Sequence, residues 1–194
     1  MYVNHSHYLY TMTNIQYRPL QAGDLHIYRQ IRLECLRNYP DYFGTTYEED
    51  LHSSALKFDK VLAAGLGNDF LLGAFTGEVL IGICGFIQGD RIKTRHHGEI
   101  VHMYVNPDFS GQGIGTRLLQ LTMEKAFANS LIDQIELGVV YSNERAVNIY
   151  RKLGFIKYGL LENYFQQGDK RWAQLFMVLT REHYLNIAGN ENHP

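Results

Sequence analysis

The spacing of hydrophobic and polar residues along the chain predicts a mixture of helices and strands. Apolar residues recur at helical spacing after Asp24, a suitable N-cap, and Pro40 ends this first helix. Further helices are predicted over 51–64, 113–129 and 143–152. Apolar or alternating runs predict strands just after Met12 and over 70–75, 79–88, 98–105, 134–140, 155–161 and 172–180. The polar segments 41–50, 89–97 and 162–171 are predicted as loops.

This order of elements combines antiparallel hairpins with strand–helix–strand crossovers, which is typical of an α+β protein with a mixed sheet. The length of 194 residues predicts one domain. We expect that domain to span 14–181, after an N-terminal extension of residues 1–13 and before a C-terminal tail of residues 182–194.

Composition and charge narrow the function classes. With 18 Lys and Arg against 20 Asp and Glu, the chain lacks the basic surface of a dedicated nucleic-acid binder and has no polybasic cluster for anionic lipid. The longest apolar run, Val79–Ile87, is shorter than the roughly 20 residues of a membrane-spanning helix. The first ten residues do not resemble a secretory signal. Cys35 and Cys84 lack metal-binding spacing, so we expect free thiols and a cytoplasmic location.

A glycine-rich loop between a predicted strand and a predicted helix is the most informative segment. Gly111, Gly113 and Gly115 follow the strand over 98–105 and open directly into an amphipathic helix. Glycines allow a ligand to approach the backbone, and the first N–H groups of a helix have no internal partners. Together they favour a phosphate or pyrophosphate site, although a plain glycine turn is the alternative. The spacing matches neither a Walker loop nor a dinucleotide fingerprint.

Two motifs give the chain its resemblance to a known family. The loop over Ser110–Gly115 is similar to the phosphate loop Arg/Gln-x-x-Gly-x-Gly/Ala of the GNAT N-acetyltransferase superfamily, with Ser110 in place of Arg or Gln. Downstream, Asn143, Ala146, Tyr150 and the pair Gly154–Phe155 match that family's later motif in the same order. The resemblance spans about residues 15–180.

The resemblance implies a GNAT-type fold, with a mostly antiparallel seven-stranded sheet that splays between its fourth and fifth strands and about four flanking helices. It implies that acetyl-CoA donates an acetyl group directly to a primary amine in a ternary complex. His96, His97 and His102 have no carboxylate or Cys at ligand spacing, so we expect no metal site. A catalytically weak acyl-CoA-binding sensor on the same fold, or transfer of a longer acyl group, are the alternatives. Dimers are frequent in the family, so a homodimer is compatible with it.

By the same resemblance, the pyrophosphate lies over the loop amides and the fourth strand holds the pantetheine arm. The Met103 N–H would then face the acetyl carbonyl and stabilise the negative charge that develops on its oxygen. Val105 would contact the pantetheine. The residues expected to bind acetyl-CoA are Met103, Tyr104, Val105, Gly111, Gln112, Gly113, Ile114, Gly115, Thr116, Asn143 and Tyr150.

Acetylation of an amine needs a neutral nucleophile, and an alkyl amine with pKa near 10.4 is only about 0.04% neutral at pH 7. Glu99 is the predicted general base, acting through ordered water because about 13 Å of strand separates it from Met103. The two-residue period of a regular strand would put Glu99, Val101 and Met103 on one face and His102 on the other. A bulge would make His102 a second candidate base.

Tyr150 is the predicted acid, which protonates the departing thiolate or donates a hydrogen bond to it. A packed core aromatic is the alternative for this residue. The aromatic residues predicted to line the acceptor site are Phe43, Tyr47, Tyr164 and Trp172. The carboxylates of Glu48, Glu49 and Glu162 could attract a cationic amine, but such runs also occur on solvated faces. The sequence leaves the identity of the amine open.

Overall fold

A computed structural model describes residues 14–65 and 67–190. These residues form one seven-stranded sheet in the order β1-β2-β3-β4-β5-β7-β6. Its strands are β1 (Ile15–Pro19), β2 (Phe70–Thr76), β3 (Val79–Gln88), β4 (His97–Val105), β5 (Gln134–Val140), β6 (Ile156–Gln167) and β7 (Lys170–Thr180). Its helices are α1 (Leu25–Asn38), α2 (Tyr47–His52), α3 (Asp59–Ala64), α4 (Ile114–Phe127), α5 (Glu144–Lys152) and α6 (Arg181–Asn190).

All neighbouring strands are antiparallel except the central pair β4 and β5, which is parallel. The fold predicted from the sequence is therefore confirmed, including the mixed sheet and its split between the fourth and fifth strands. Six α-helices flank the sheet in the described ranges, against about four expected.

Apolar side chains cover both faces of the sheet. On one face, Leu72 of β2 packs in a cluster with Leu118 and Leu119 of α4. On the other face, Leu71 packs with Tyr28 of α1. Successive strand side chains point to opposite faces, so a strand buried on both sides reads as a continuous apolar run, as β2 and β3 do. The apolar run Val79–Ile87 accordingly lies within β3. No helix within the described ranges is long and apolar enough to cross a bilayer.

The predicted single helix over 51–64 is wrong, because two short helices occupy this region. The Thr46 side chain accepts a hydrogen bond from the Glu49 N–H, and the Glu49 carboxylate accepts one from the Thr46 N–H. This capping box starts α2 at Tyr47, inside the predicted loop. Ser53 then adopts an extended conformation, and its hydroxyl donates a hydrogen bond to the Ala55 carbonyl. This turn separates α2 from α3.

The predicted loop over 162–171 is also wrong. Strands β6 and β7 continue through it and turn at Gly168, whose φ of +58° favours glycine. The segment is polar because β6 is an edge strand with mostly exposed side chains.

The expected C-terminal tail contains a helix, α6. Thr180 caps it by accepting a hydrogen bond from the His183 N–H, and the Arg181 guanidinium donates to the Phe127, Asn129 and Ile132 carbonyls. The Tyr184 ring stacks on Phe127 with centroids 4.8 Å apart. The expected extension over residues 1–13 and residues 191–194 lie outside the described residues.

Candidate active site

The split between β4 and β5 opens a cleft at the centre of the sheet. The two strands pair only through three positions, the last being Glu99 opposite Glu136, and then diverge. The resulting cleft has a volume of about 920 Å³. Its lining includes these residues singled out from the sequence: Phe43, Glu99, Met103, Tyr104, Val105, Gly111, Gly113, Ile114, Gly115, Thr116, Asn143 and Tyr150.

Four predicted site residues have other surroundings. Gln112, Tyr47 and Trp172 do not line this cleft, and Tyr164 lines a smaller cavity of about 310 Å³ instead. The Tyr47 hydroxyl accepts a hydrogen bond from the Arg37 guanidinium at 2.6 Å. Trp172 lies opposite Phe165 in the β6–β7 ladder.

The acidic run beside Tyr47 has a local structural role. Glu49 belongs to the capping box of α2, and the Glu48 carboxylate lies 3.6 Å from the His52 ring. Since both side chains serve the short helix, nothing in their contacts directs them to the cleft.

The glycine loop ends in a helix N-terminus that faces the cleft. Gly111 and Gly113 have φ values of +80° and +75°, which other residues rarely adopt. Gly113 is the N-cap of α4 and has no side chain to cap the first-turn N–H groups. A Cβ at Gly113 would meet no protein atom within 4 Å, so open space lies beside these donors. The loop therefore provides an uncapped set of N–H groups and the positive end of the α4 dipole.

A β-bulge at His102 changes which way the β4 side chains point. Val101 pairs with Gly85 but Tyr104 pairs with Ile83, so β4 has one more residue than β3 over this stretch. His102 has φ +55°. Val101 consequently packs in the α1 cluster, whereas Met103 packs in the α4 cluster. The prediction that Met103 shares a face with Glu99 and Val101 is wrong, because it assumed a regular strand.

The bulge places the His102 ring among aromatic side chains. Its Nδ1 lies 3.3 Å from the Tyr28 hydroxyl, and its ring meets Phe58 at a centroid distance of 5.4 Å. Burial, and then the nearby cations Arg32 and Lys57, hold the pKa of His102 well below its usual value. The ring is therefore neutral at pH 7.

Helix α5 presents Asn143 and Tyr150 to the other side of the cleft. Asn143 Oδ1 accepts a hydrogen bond from the Ala146 N–H at 3.2 Å, so this residue is an N-cap that also lines the cleft. The Tyr150 ring packs edge-on against Phe155 at 5.9 Å. Burial raises the pKa of the Tyr150 phenol, which keeps its proton at neutral pH.

The sequence profile of the acetyltransferase (GNAT) family matches residues 27–155, about two thirds of the chain. The chain belongs to the GNAT acetyltransferase family. It is 28% identical over 174 residues to the spermidine N(1)-acetyltransferase of Escherichia coli K12, and the match covers 89% of each chain.

Solved structures share the GNAT fold. An acetyltransferase of the GNAT family from Streptococcus pneumoniae superposes with a TM-score of 0.74 at 22% identity, covering 86% of this chain and 99% of the other. The Salmonella typhimurium protein yncA, solved with its cofactor acetyl-CoA, superposes with a TM-score of 0.67 at 20% identity, covering 86% and 94%.

In this GNAT domain, the smaller cavity adjoins the point where β4 and β5 separate. Glu136, which no sequence motif singled out, also lies on that cavity. Its carboxylate accepts a hydrogen bond from the Tyr158 hydroxyl at 3.0 Å and lies 3.1 Å from the His97 Nδ1. Burial, and then this hydrogen bond, raise the pKa of Tyr158 to about 12. Only the parallel register brings Glu136 beside Glu99, so no local pattern could have revealed it.

Neither cysteine of the GNAT domain is exposed as a nucleophile would be, and the described ranges contain no cluster of metal ligands. Cys35 and Cys84 are buried free thiols, and burial raises the pKa of each to about 12. No group of three or more His, Cys, Asp or Glu side chains there converges as a metal site would require.

Proposed function

We propose that this GNAT protein transfers the acetyl group of acetyl-CoA directly to a primary amine of a small molecule or peptide, in a ternary complex. The observation that carries the proposal is the cleft itself. Diverging strands expose the edge of β4, and the uncapped N-terminus of α4 opens onto the same space. The spermidine acetyltransferase relative supports an amine as the acceptor, and the neighbour solved with acetyl-CoA supports acetyl-CoA as the donor.

The loop fits the pyrophosphate of acetyl-CoA. The N–H groups of residues 113–116 would donate to its oxygens, and the positive end of the α4 dipole would favour its negative charge. Open space beside Gly113 leaves room for the phosphates. Ser110 replaces the usual basic or amide side chain, so the main chain carries this interaction.

The exposed edge of β4 fits the pantetheine arm and the acetyl group. The Asn106 N–H donates to the Ile81 carbonyl of β3, and the alternation of an antiparallel ladder then turns the main chain of Val105 toward the cleft. The register with β3 passes from Val101 to Tyr104, so the bulge leaves both His102 and Met103 without a partner in this ladder. The Met103 N–H would therefore be free to donate to the acetyl oxygen as the amine attacks.

Glu99 is the preferred general base. It is exposed, lines both cavities and stands where the strands separate. His102, the other candidate, has a strongly lowered pKa and its Nδ1 lies beside the Tyr28 hydroxyl, which makes it a poor acceptor for an ammonium proton. Water between Glu99 and the amine would complete the path.

Tyr150 would donate a hydrogen bond to the departing thiolate. Its raised pKa opposes full proton transfer to a thiolate, because a thiol has an ordinary pKa of about 8.5. Hydrogen bonding needs only the protonated phenol. Neither cysteine offers a thiolate at neutral pH, which supports direct transfer over an acetyl-enzyme. The homodimer and the cytoplasmic location stay predictions.

Two measurements test the proposal. Calorimetry with acetyl-CoA should give saturable binding, and a thiol-release assay over a panel of amines should give turnover with intersecting double-reciprocal plots. Binding without release for any amine would favour the sensor alternative. Absence of binding by the folded protein would refute the proposal.

A further inference from the structure

Arg32, on the acceptor side of the cleft, has an unmet hydrogen-bonding capacity. Among the described residues, only two buried side-chain atoms lack a partner, Nη1 of Arg32 and Oε1 of Gln88. Arg32 lies on α1, is only 2% exposed and still lines the large cleft. A buried donor without a partner is costly, and more so on a charged group. A ligand oxygen in the cleft would satisfy it.

The remaining contacts of Arg32 hold the guanidinium in place. Its Nε donates to Asp50 Oδ2 at 2.8 Å. Its Cζ lies 5.4 Å from the centroid of the Phe43 ring, which also lines the cleft. These two partners, together with the Cys35 thiol one turn along α1, restrict the side chain. Nη1 is buried beside the cleft without a hydrogen-bond partner, so the donor is positioned before any ligand arrives.

The hydrogen-bonding state of Nη1, rather than the net charge around it, favours an anion. Asp50 offsets the charge of Arg32, His102 is neutral, and the exposed ammonium of Lys57 lines the same cleft. Glu99 also lines this cleft and Asp59 acts on the neighbouring Tyr28, so the surroundings carry no net positive charge. A second ammonium, as in a polyamine, cannot accept a hydrogen bond from Nη1, whereas a carboxylate can.

This subsite lies beside the reaction centre. Tyr28 and Arg32 are four residues apart on α1 and share a face of the helix. The Tyr28 hydroxyl is 3.3 Å from His102, the residue that precedes Met103. Glu99 lines the same cleft and would receive the proton of the amine.

We infer that the acceptor is a free amino acid, that is, an amine that also carries a carboxylate, and that Arg32 Nη1 binds this carboxylate. The inference rests on the proposed acetyl transfer and names its substrate class. It makes Arg32 a specificity-determining residue, with Lys57 adding to the attraction. The 28% identical spermidine acetyltransferase would then differ from this chain in its acceptor.

The test compares free amino acids with their carboxamides and with spermidine as acceptors. Removing the carboxylate lowers the pKa of the neighbouring amine, so chemistry alone would favour the amide. For each amino acid that the protein accepts, we expect the kcat/KM of the free acid to be about 10- to 100-fold above that of its carboxamide. Arg32→Gln should abolish this ratio and leave the KM for acetyl-CoA unchanged.

Arg29→Gln is the matched control. Arg29 lies on the same helix and donates to the carbonyls of Asp50, Leu51 and Ser53, but it does not line the cleft. This variant should retain the preference for acids. Arg32→Gln leaves Asp50 without its ion pair, so the double variant Arg32→Gln/Asp50→Asn serves if the single one does not fold.

A binding measurement separates this inference from the proposed function. Calorimetry of each acid and amide, with and without coenzyme A, needs no turnover. A preference for acids that Arg32→Gln removes would support the inference even if acetyl transfer fails. Equal binding of acids and amides to the wild-type protein, better use of spermidine than of every acid, or equal losses for acid and amide in Arg32→Gln would overturn it.

Discussion

Replacement of Gly113 by alanine separates the cost of backbone strain from the loss of a ligand site. Gly113 has φ +75°, and its Cβ position is open. An L-residue pays about 1–2 kcal/mol in this conformation, and alanine recovers about 0.4–1 kcal/mol by restricting the unfolded chain. The net destabilisation should therefore be about 1 kcal/mol, or about 2–4 °C in Tm for a chain of this size.

The effect on acetyl-CoA should be larger than the effect on stability. The added methyl group would enter the space that we assign to the pyrophosphate and displace one of its hydrogen bonds. Hydrogen bonds to charged groups contribute about 1.5–3 kcal/mol each, so we expect Kd to rise about 10- to 100-fold. Isothermal titration with acetyl-CoA and thermal denaturation without ligand measure the two quantities.

Gly77→Ala is the matched control for Gly113→Ala. Gly77 lies in the β2–β3 turn with φ +58°, its Cβ position is equally open, and it does not line the cleft. It should lose similar stability and keep normal acetyl-CoA affinity. If Gly113→Ala binds acetyl-CoA as tightly as Gly77→Ala does, the loop does not hold the pyrophosphate.

Three further predictions concern the reaction centre. Glu99→Gln should lower kcat/KM most at low pH with alkyl amines and little with aryl amines, which are already neutral; equal losses for both in steady-state assays would argue against a base. Tyr150→Phe should lower kcat while calorimetry gives a near-normal Kd for acetyl-CoA, and an unchanged kcat would reduce Tyr150 to a packing role. His102 has a lowered pKa, so the stability it contributes is present above its unfolded pKa of about 6.5 and is lost as pH falls. Below about pH 6.5, the free energy of unfolding of the wild-type protein should fall by up to about 1.4 kcal/mol per pH unit for this one proton. His102→Asn should reduce this slope in denaturant titrations. Identical slopes in the wild-type protein and the variant would contradict the explanation.

Local patterns predicted the elements whose signals lie within one segment. The bounds of β3 and β5 match the predicted strands, because their apolar residues are buried in the sheet core. The start of α5 was predicted from Asn143, whose side chain caps the helix by a contact three residues away. The predicted strand over 155–161 ends before the observed end of β6 at Gln167. The missing part is polar, because an edge strand needs no apolar alternation to pair with its neighbour.

The sequence by itself determined the glycine loop, the helix it opens and the capped helix that carries Tyr150, because glycine conformation and helix capping act over a few residues. The tertiary structure alone decided the divergence of β4 from β5, the bulge that turned Met103 to the opposite face, and the burial of Arg32 with a free donor. Strand register and the satisfaction of buried polar groups depend on residues far apart along the chain. No local pattern records those pairings.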